Sequence, residues 1–302
     1  MAERPDVSIV IVSYNKVDLL EQTLSSVSTT ITEPKTEIIV VDNASSEMNI
    51  QMVQTKFPNV RLICSKQNLG FGSGCNIGAA ASQGEVLLFI NSDVKLVSNP
   101  VPGMLRLMKG MPDVGIVGCQ MLNPDGSLQP SYYRFPGLLV RFLQVTGLKL
   151  ILVRLMPVLR FQNGDVFESD MVAGAFFAIG KGLFDHVGGF DAEYFMYVED
   201  ADLCFRVRKA GGKVLVYNSN ALVHFGLHKE DPDNPFLMYH YNRGLILFYE
   251  KHYSRFKRVV MLLMSVVAFG IRYVAGTLLS CAQTRQENMR LILQMYVKAL
   301  RN

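Results

Sequence analysis

The feature that most constrains the fold is an alternation of short apolar runs with segments of helical period in the first third of the chain. Runs of about four to eight apolar residues are typical of buried strands, and apolar residues three or four positions apart are typical of helices. Strands that alternate with helices form βαβ units, so the sequence predicts an α/β fold with a parallel sheet. The predicted strands are Val7–Val12, Glu37–Val41, Val60–Cys64 and Val86–Ile90, and the predicted helices are Lys16–Thr29, Ser46–Phe57 and Gly72–Ala81.

Polar residues follow three of these strands at their carboxyl ends. They are Tyr14-Asn15, Asp42-Asn43 and Asn91-Ser92-Asp93. Ligands of open α/β sheets bind outside the carboxyl ends of the strands, so we expect the three clusters to line one crevice. Burying a carboxylate such as that of Asp93 is costly unless it is paired or binds a metal. The sequence therefore predicts an ionic partner for Asp93.

The glycine-rich stretch GFGSGCNIG, residues 70–78, does not fit the dinucleotide-binding fingerprint. GxGxxG counted from Gly70 requires glycine where Cys75 stands, and counted from Gly72 it requires glycine where Ile77 stands. The acidic residue precedes the stretch instead of following it by about 20 residues, and no GKS or GKT phosphate-binding loop occurs. The glycines serve either close packing of a helix on a strand or contact with a ligand.

Charge is distributed unevenly along the 302 residues. The net charge is +4, and 49% of the residues are hydrophobic. Residues 251–302 contain nine Lys or Arg and one acid, Glu287, so they carry +8 and leave −4 on residues 1–250. A basic, apolar segment on an acidic body favours an anionic membrane surface over nucleic acid, for which no recognition module is visible. The length fits one large domain or a domain with an appendage.

Two basic, apolar stretches are candidate membrane contacts. The first, residues 138–161, contains Arg141, Lys149, Arg154 and Arg160 and no acid. The second, residues 259–282, is uncharged except for Arg272, which interrupts the roughly 20 apolar residues that a spanning helix needs. We expect helices lying in the cytoplasmic leaflet with arginines reaching lipid phosphates. The alternative is an amphipathic helix of a core or of a homo-oligomer interface.

Cysteine usage and the N-terminus indicate the compartment. The five cysteines are odd in number, scattered, and form no CxxC pair, so neither a disulfide framework nor a zinc site is indicated. The N-terminal MAERPDVSIV has no apolar segment ahead of the first strand and does not fit a signal peptide. Both observations favour a reducing, cytoplasmic compartment.

The stretch GGFDAEYFMYVEDADLCFRVRKAG, residues 188–211, concentrates carboxylates. Glu199, Asp200 and Asp202 lie within four positions at the start of a predicted helix. Acids at a helix N-terminus often serve only to complement the helix dipole. Here they follow the aromatic run 194–197, which should form an apolar wall. A carboxylate against such a wall has a raised pKa and can act as a general base.

Six stretches in order carry a resemblance to a known family. They are VSIVIVSYNK, IIVVDNASSE, NLGFGSGCNIG, LLFINSDV, MVAGAFFAI and GGFDAEYFMYVEDADLCFR. Over residues 7–250 the chain resembles glycosyltransferase family 2, and most of all the bacterial rhamnosyltransferases of surface-polysaccharide and cell-wall assembly. The resemblance implies an α/β GT-A fold, a Rossmann-like nucleotide-diphospho-sugar transferase fold with a mixed central sheet. We predict a catalytic domain over 1–250, with an apolar, basic insertion at 138–161, and a helical membrane-associating tail over 251–302.

The resemblance also implies roles at the donor site. Ser13, Tyr14 and Asn15 would cover the nucleotide base, and Asp42 would accept a hydrogen bond from the pyrimidine N–H. The residues expected at the donor ribose and diphosphate are Asn68, Gly70, Asn76, Asn91 and Ser92.

The family's Asp-x-Asp metal motif reads Asn91-Ser92-Asp93 in this chain. The resemblance therefore makes Asp93 the expected direct ligand of Mg²⁺ or Mn²⁺, with Asn91 adding a neutral oxygen or acting through water. His224 stands where related enzymes place a metal-binding histidine, and His228 is a weaker candidate. A hydrogen-bonded core histidine is the alternative for His224.

The same resemblance implies an inverting reaction by direct displacement. Asp200 would take the proton of the acceptor hydroxyl, because the family's Glu-Asp motif puts the base at its second acid. Sequence spacing leaves Glu199 and Asp202 as alternatives. Acceptor contacts are expected at Ala173, Gly174 and Arg134.

The predicted activity is transfer of L-rhamnose from dTDP-rhamnose to a polyprenyl-diphosphate-linked saccharide by a protein peripheral on the inner face of the cytoplasmic membrane. A UDP-hexose donor is the alternative, because Asp42 would read an edge that uracil and thymine share. Two further hypotheses are a nucleotide-sugar-binding protein that has lost catalysis, which Asn91 in place of an acid allows, and a membrane-bound scaffold.

Overall fold

The computed structural model describes residues 4–45, 50–146, 165–226, 234–278 and 283–301. The chain divides into two compact units. We call residues 1–133, 164–195 and 199–227 the sheet unit, and residues 134–163, 196–198 and 228–302 the helical unit. The helical unit is thus larger than the predicted tail, which starts at 251.

Among the described residues, the sheet unit is built on a mixed sheet of ten strands. The strands of the protein are β1 (Val7–Ser13), β2 (Thr36–Asp42), β3 (Val60–Cys64), β4 (Val86–Asn91), β5 (Val94–Leu96), β6 (Val114–Leu122), β7 (Leu128–Gln129), β8 (Tyr132–Tyr133), β9 (Val166–Glu168), β10 (Met171–Val172), β11 (Phe176–Gly180) and β12 (Lys213–His224). The sheet order is β3-β2-β1-β4-β11-β6-β12-β5, with β7 on β6 and β9 on β12, while β8 and β10 pair separately. Strands β1 to β4 are parallel, and β11 joins them antiparallel to β4.

Helices flank the sheet and build the second unit. They are α1 (Val17–Thr30), α2 (Ile50–Lys56), α3 (Phe71–Ala81), α4 (Val101–Gly110), α5 (Leu138–Thr146), α6 (Lys181–His186), α7 (Glu199–Lys209), α8 (Pro235–His252), α9 (Arg255–Leu278) and α10 (Gln283–Arg301). The predicted strands and helices of the first ninety residues are present, although residues 46–49 of one helix lie outside the described ranges. The predicted α/β class with a mixed central sheet is confirmed.

Strand β1 lies between β2 and β4, and all seven of its residues are buried. A strand that is buried on both faces is a nearly continuous apolar run in sequence, and this run is the signal that predicts β1. The register places Ser13 opposite Asp42 and Val12 opposite Asn91. The carboxyl ends of β1, β2 and β4 therefore bring the three polar clusters to one edge of the sheet.

Helix α3 packs against β1 through glycines. A Cβ at Gly74 would lie 2.8 Å from Cγ1 of Val12, and a Cβ at Gly78 would overlap the Val10 side chain. The glycines therefore let the helix backbone approach the strand closely. Helix–strand packing, one of the two expected roles of the glycine-rich stretch, is observed.

The helical unit packs around a buried arginine of α5. Arg141 is 5% exposed, and its guanidinium donates hydrogen bonds to Ser265 Oγ, Asn242 Oδ1 and Tyr296 OH at 3.0, 3.3 and 2.8 Å. It also lies over the ring of Phe269. Arg141 was expected among the arginines that reach lipid phosphates, and that expectation is wrong, because its donors are used inside the unit.

One helix within the described ranges is long and apolar enough to cross a membrane, namely residues Arg255–Thr277 of α9. Only 22% of its most apolar 18-residue window is buried. Residues 147–161 of the first predicted membrane stretch and residues 279–282 of the second lie outside the described residues.

Candidate active site

Two buried polar side chains end β1 and β2. Ser13 is 1% exposed and Asp42 is 4% exposed. The Ser13 hydroxyl has no hydrogen-bond partner within the described part of the chain, whereas Asp42 accepts hydrogen bonds from the N–H and the hydroxyl of Ser45. A buried hydroxyl without a partner is costly, and a ligand group placed there would relieve that cost. This corner therefore suits the polar edge of a ligand.

Tyr14 and Asn15 form the turn after β1. Asn15 has φ 52°, a left-handed conformation that asparagine tolerates better than most residues, and its N–H donates to Ser45 Oγ at 2.9 Å. Ser45 thereby ties this turn to Asp42. The Tyr14 side chain is half exposed, and its expected place over the nucleotide base stays a prediction.

Asn43 holds the loop that precedes α3. Its amide nitrogen donates to Asn68 Oδ1 and to the Gly70 carbonyl, and its Oδ1 accepts the N–H of Leu69. Gly70 has φ +85°, and a Cβ there would overlap the carbonyl of Phe195, so only glycine fits. Asn68 and Gly70, both expected at the donor, are thus fixed by Asn43, a member of one of the polar clusters predicted to line the crevice.

The amide of Asn76 is engaged by the protein itself. Its Nδ2 donates to the Phe190 carbonyl at 2.7 Å, and its Oδ1 accepts the Phe190 N–H at 2.9 Å. This pair of hydrogen bonds fixes the loop after α6 to α3. The expected contact of Asn76 with the donor stays a prediction.

Strand β12 brings His224 to the end of β4. Nε2 of His224 lies 3.2 Å from Oδ1 of Asp93. The two residues are distant in sequence but meet because β12 pairs with β5, with His224 opposite Val94. Two positions before Asp93, the side-chain oxygen of Asn91 is buried and has no hydrogen-bond partner among the described residues.

Gln129 fixes the orientation of the His224 ring. Its Oε1 lies 2.6 Å from Nδ1 of His224, while its Nε2 donates to Asn123 Oδ1 and to the His224 carbonyl. Because the amide nitrogen is already a donor, Oε1 faces the ring and Nδ1 carries the proton. Nε2 is then the ring nitrogen that faces Asp93, and its lone pair would be the one available to a cation held between the two side chains.

The donor set of this corner fits a divalent cation. An imidazole nitrogen and a carboxylate oxygen converge, and the Asn91 oxygen adjoins them in sequence. No group of three His, Cys, Asp or Glu side chains comes together within the described ranges. A cation such as Mg²⁺ usually takes only one or two carboxylates from the protein and its other ligands from substrate phosphates and water. The site therefore suits a cation that is bound together with a diphosphate.

Asp200 lies in the first turn of α7 and accepts two backbone hydrogen bonds. The N–H of Gly174 donates to Oδ2 at 3.0 Å, and the N–H of Ala201 donates to Oδ1 at 2.8 Å. A Cβ on Gly174 would lie 3.5 Å from Cβ of Asp200 and 3.3 Å from the Phe71 ring. Gly174, expected at the acceptor, thus contacts the expected base directly.

The neighbouring acids differ in their surroundings. Asp202 is fully buried, and both Nε and Nη2 of Arg206 donate to its Oδ2, at 2.8 and 2.6 Å. Glu199 is buried, and its Oε2 has no hydrogen-bond partner in the described part of the chain. Asp202 is thus held in an ion pair with Arg206, while Glu199 and Asp200 are a second, adjacent pair of carboxyl groups.

Burial raises the pKa of both Glu199 and Asp200. Burial and, second, the charge of Asp200 raise the pKa of Glu199 well above its ordinary value. Burial also raises the pKa of Asp200, as expected from the sequence, while the N–H groups of Gly174 and Ala201 oppose the rise. Hydrogen bonds from N–H groups favour the charged form, so Asp200 is the one of the two acids whose carboxylate form is stabilised by the surrounding backbone.

For the remaining predicted residues the structure gives only single contacts or exposure. The N–H of Ala173 donates to the Ser131 carbonyl at 2.8 Å. Arg134 is exposed and belongs to the helical unit, and His228 lies outside the described residues. Gln129 and Ser45 were not anticipated, since nothing local in the sequence distinguishes them from surface polar residues.

Comparison with known proteins identifies the family. Residues 8–173, more than half of the chain, match the family described as Glycosyl transferase family 2. The chain is also 28% identical over 261 residues to the N-acetylglucosaminyl-diphospho-decaprenol L-rhamnosyltransferase of Mycobacterium tuberculosis. That alignment covers 79% of this chain and 83% of the relative.

Two solved structures share the fold. The mannosyltransferase PcManGT from Pyrobaculum calidifontis, in complex with GDP-Man and Mn²⁺, has a TM-score of 0.59 at 15% identity and covers 99% of this chain and 87% of its own. GalNAc-T7 with UDP, GalNAc and Mn²⁺ has a TM-score of 0.57 at 17% identity, covering 74% of this chain and 44% of its own. The protein is thus a glycosyltransferase with the GT-A fold, and it belongs to glycosyl transferase family 2.

Proposed function

We propose that the protein transfers L-rhamnose from dTDP-rhamnose, with inversion at the anomeric carbon, to a hydroxyl of a polyprenyl-diphosphate-linked N-acetylglucosamine. The observation that carries this choice of sugar and acceptor is the 28% identity to the mycobacterial rhamnosyltransferase, which extends over 83% of that relative. The buried polar atoms at the ends of β1, β2 and β4 support a site for the nucleoside diphosphate.

Asp200 is the proposed general base. Its carboxylate takes the proton of the acceptor hydroxyl while the acceptor oxygen forms a bond to the anomeric carbon. The bond from that carbon to the diphosphate oxygen breaks, and its electron pair leaves with the nucleoside diphosphate. Each oxygen of Asp200 accepts one N–H and keeps a lone pair for the incoming proton.

The other predicted residues keep their proposed roles. Asp93 and His224 would hold Mg²⁺ or Mn²⁺, whose chemistry when bound is Lewis-acid stabilisation of charge on a diphosphate. The residues proposed at the base are Ser13, Tyr14, Asn15 and Asp42, those at the sugar diphosphate are Asn68, Gly70, Asn76, Asn91 and Ser92, and those at the acceptor are Ala173, Gly174 and Arg134.

A polyprenyl-linked acceptor resides in a bilayer, so the enzyme has to reach the membrane surface. We place it as a peripheral protein on the inner face of the cytoplasmic membrane. The basic, apolar C-terminal helices support this location.

A donor panel tests the proposal. The purified full chain is assayed with a lipid-linked N-acetylglucosamine acceptor, Mg²⁺ or Mn²⁺, and either dTDP-rhamnose or UDP-hexoses. We expect transfer from dTDP-rhamnose and its loss in EDTA. If transfer occurs only from a UDP-hexose, the donor is that UDP-hexose and not dTDP-rhamnose. Binding of a nucleotide sugar without turnover would support the binding-protein hypothesis, and no nucleotide binding would support the scaffold.

A further inference from the structure

Six large apolar side chains form one exposed stripe along α9. They stand three or four residues apart, and between 37% and 75% of each residue is exposed. The α9 stripe consists of Phe256, Val259, Leu263, Val267, Ile271 and Val274. This spacing puts all six on one face of the helix. Contiguous exposed apolar surface of this kind marks an interaction site.

The opposite face of α9 is covered by the helical unit itself. Met261, Leu262, Ser265 and Phe269 are buried, and Ser265 accepts hydrogen bonds from Arg141 of α5. Helix α9 also packs against α8 and α10. The helix is therefore already fixed in a folded unit, and the α9 stripe faces away from it.

The net positive charge of the helical unit favours an anionic partner. Its described residues carry twelve Lys or Arg against two acids, Glu250 and Glu287. The basic residues are Arg134, Arg141, Arg243, Lys251, Arg255, Lys257, Arg258, Arg272, Arg285, Arg290, Lys298 and Arg301. A second copy of the chain would bring two strongly positive units together, whereas anionic lipid headgroups complement the charge.

The pairing of α9 with α10 decides the orientation on a membrane. Arg258 near the start of α9 donates to the Ala299 carbonyl, and Gln286 donates to the Gly276 carbonyl near its end. The helices are therefore antiparallel neighbours over their whole length. If α9 crossed a bilayer, α10 would be drawn in with Glu287 and several basic residues, which is costly at the bilayer centre.

We infer that the α9 stripe is the surface by which the protein binds an anionic bilayer, and that α9 lies flat at the headgroup level instead of spanning. The inference rests on the proposed peripheral location and adds the contact surface and its orientation. A flat helix buries the stripe, while flanking Lys and Arg side chains reach lipid phosphates.

The absence of tryptophan from the chain makes the orientation measurable. Leu263→Trp, Val267→Trp and Val274→Trp each report one position of the stripe, and Val97→Trp is the control, because Val97 is a similarly exposed valine of the sheet unit. Fluorescence is recorded with phosphatidylglycerol-containing vesicles whose acyl chains are brominated at different depths. We expect quenching at one common, shallow depth for the three stripe positions and none for the control.

A matched pair of charge substitutions tests the surface. Val267→Asp should weaken binding to anionic vesicles by about 10- to 100-fold, the equivalent of losing one buried valine, whereas Val97→Asp should not. Added salt or vesicles of neutral lipid should weaken binding of the unmodified chain as well.

Several outcomes would overturn the inference. Quenching depths in the bilayer that increase from Leu263→Trp to Val267→Trp and fall again at Val274→Trp would show a helix that spans the membrane. Equal binding losses in Val267→Asp and Val97→Asp would place the contact elsewhere. An oligomer, seen by sedimentation without lipid, that Val267→Asp alone dissociates would make the stripe a subunit interface. Transfer to a short soluble acceptor, assayed in parallel, shows separately whether the proposed activity fails.

Discussion

At the scale of single residues, neighbouring acids take different states because their contacts differ. Asp200 accepts N–H groups from Gly174 and Ala201, Asp202 is bound by Arg206, and Glu199 has a buried oxygen without a partner in the described residues. Three carboxylates that spacing could not separate are thus separated by what surrounds each of them.

Removing the proposed base, Asp200, should change turnover but not donor affinity. Asp200→Asn keeps the size of the side chain but cannot accept the proton, so kcat should fall by about 10²- to 10⁴-fold with little change in the KM for the donor. Steady-state kinetics with the donor that supports transfer measure both constants. Glu199→Gln is the matched control and should keep most of the activity. The reverse ranking would identify Glu199 as the base.

Glu199 should make stability depend on pH. Its pKa is raised in the folded protein above the ordinary 4.5, so the fold holds a proton that the unfolded chain releases once the pH exceeds that value. Its contribution to stability is full below about 4.5 and is lost progressively as the pH rises toward the folded pKa. Glu199→Gln has no carboxyl group to titrate at this position, so the free energy of unfolding of this variant should rise relative to that of the unmodified chain as the pH increases above 4.5.

Denaturant unfolding at several pH values measures this difference. Glu193→Gln, at an exposed glutamate of the same unit, is the control and should track the unmodified chain. A difference in stability for Glu199→Gln that does not change with pH would contradict the raised pKa of Glu199.

At the scale of elements, the close approach of α3 to β1 positions the start of α3 and the preceding loop, residues 68–70, which holds two of the residues proposed at the donor. Gly78→Ala would push a methyl group into Val10, so we expect a loss of about 1–3 kcal/mol of stability. Gly182→Ala in α6 has open space around the new methyl, so it should be neutral or stabilising by up to about 1 kcal/mol. Thermal and denaturant unfolding of the two variants compare these costs. Equal effects would show that α3 can shift freely.

At the scale of the whole molecule, Arg141 joins α5 to helices that follow it by more than a hundred residues. Arg141→Ala removes hydrogen bonds to Asn242, Ser265 and Tyr296 and leaves a cavity, so the helical unit should lose about 2–4 kcal/mol. Arg141→Met keeps the apolar packing and removes a desolvated charge, so it should cost less. Unfolding followed by circular dichroism tests the order, and equal stability of both variants and the parent would contradict it.

The sequence alone determined the elements whose signal is local. Strands β1, β2 and β4 are apolar over most of their length because both of their faces are buried. Because the three strands are parallel, the polar clusters that follow them lie at the same edge of the sheet. The polar clusters, together with the resemblance to a family, led to the predicted roles of Asp93, His224 and Asp200, which stay proposals.

The tertiary structure decided which distant groups meet and which are removed from water. Strand pairing brings His224 to Asp93 and Gln129 to His224, and a loop N–H from Gly174 reaches Asp200. Burial raises the pKa of Glu199 and takes Arg141 into a core, although its neighbours in sequence suggested a lipid-facing side chain. Such contacts depend on strand order and helix packing over the whole chain, because hydrogen bonds and desolvation are properties of spatial neighbours, and a local pattern does not specify them.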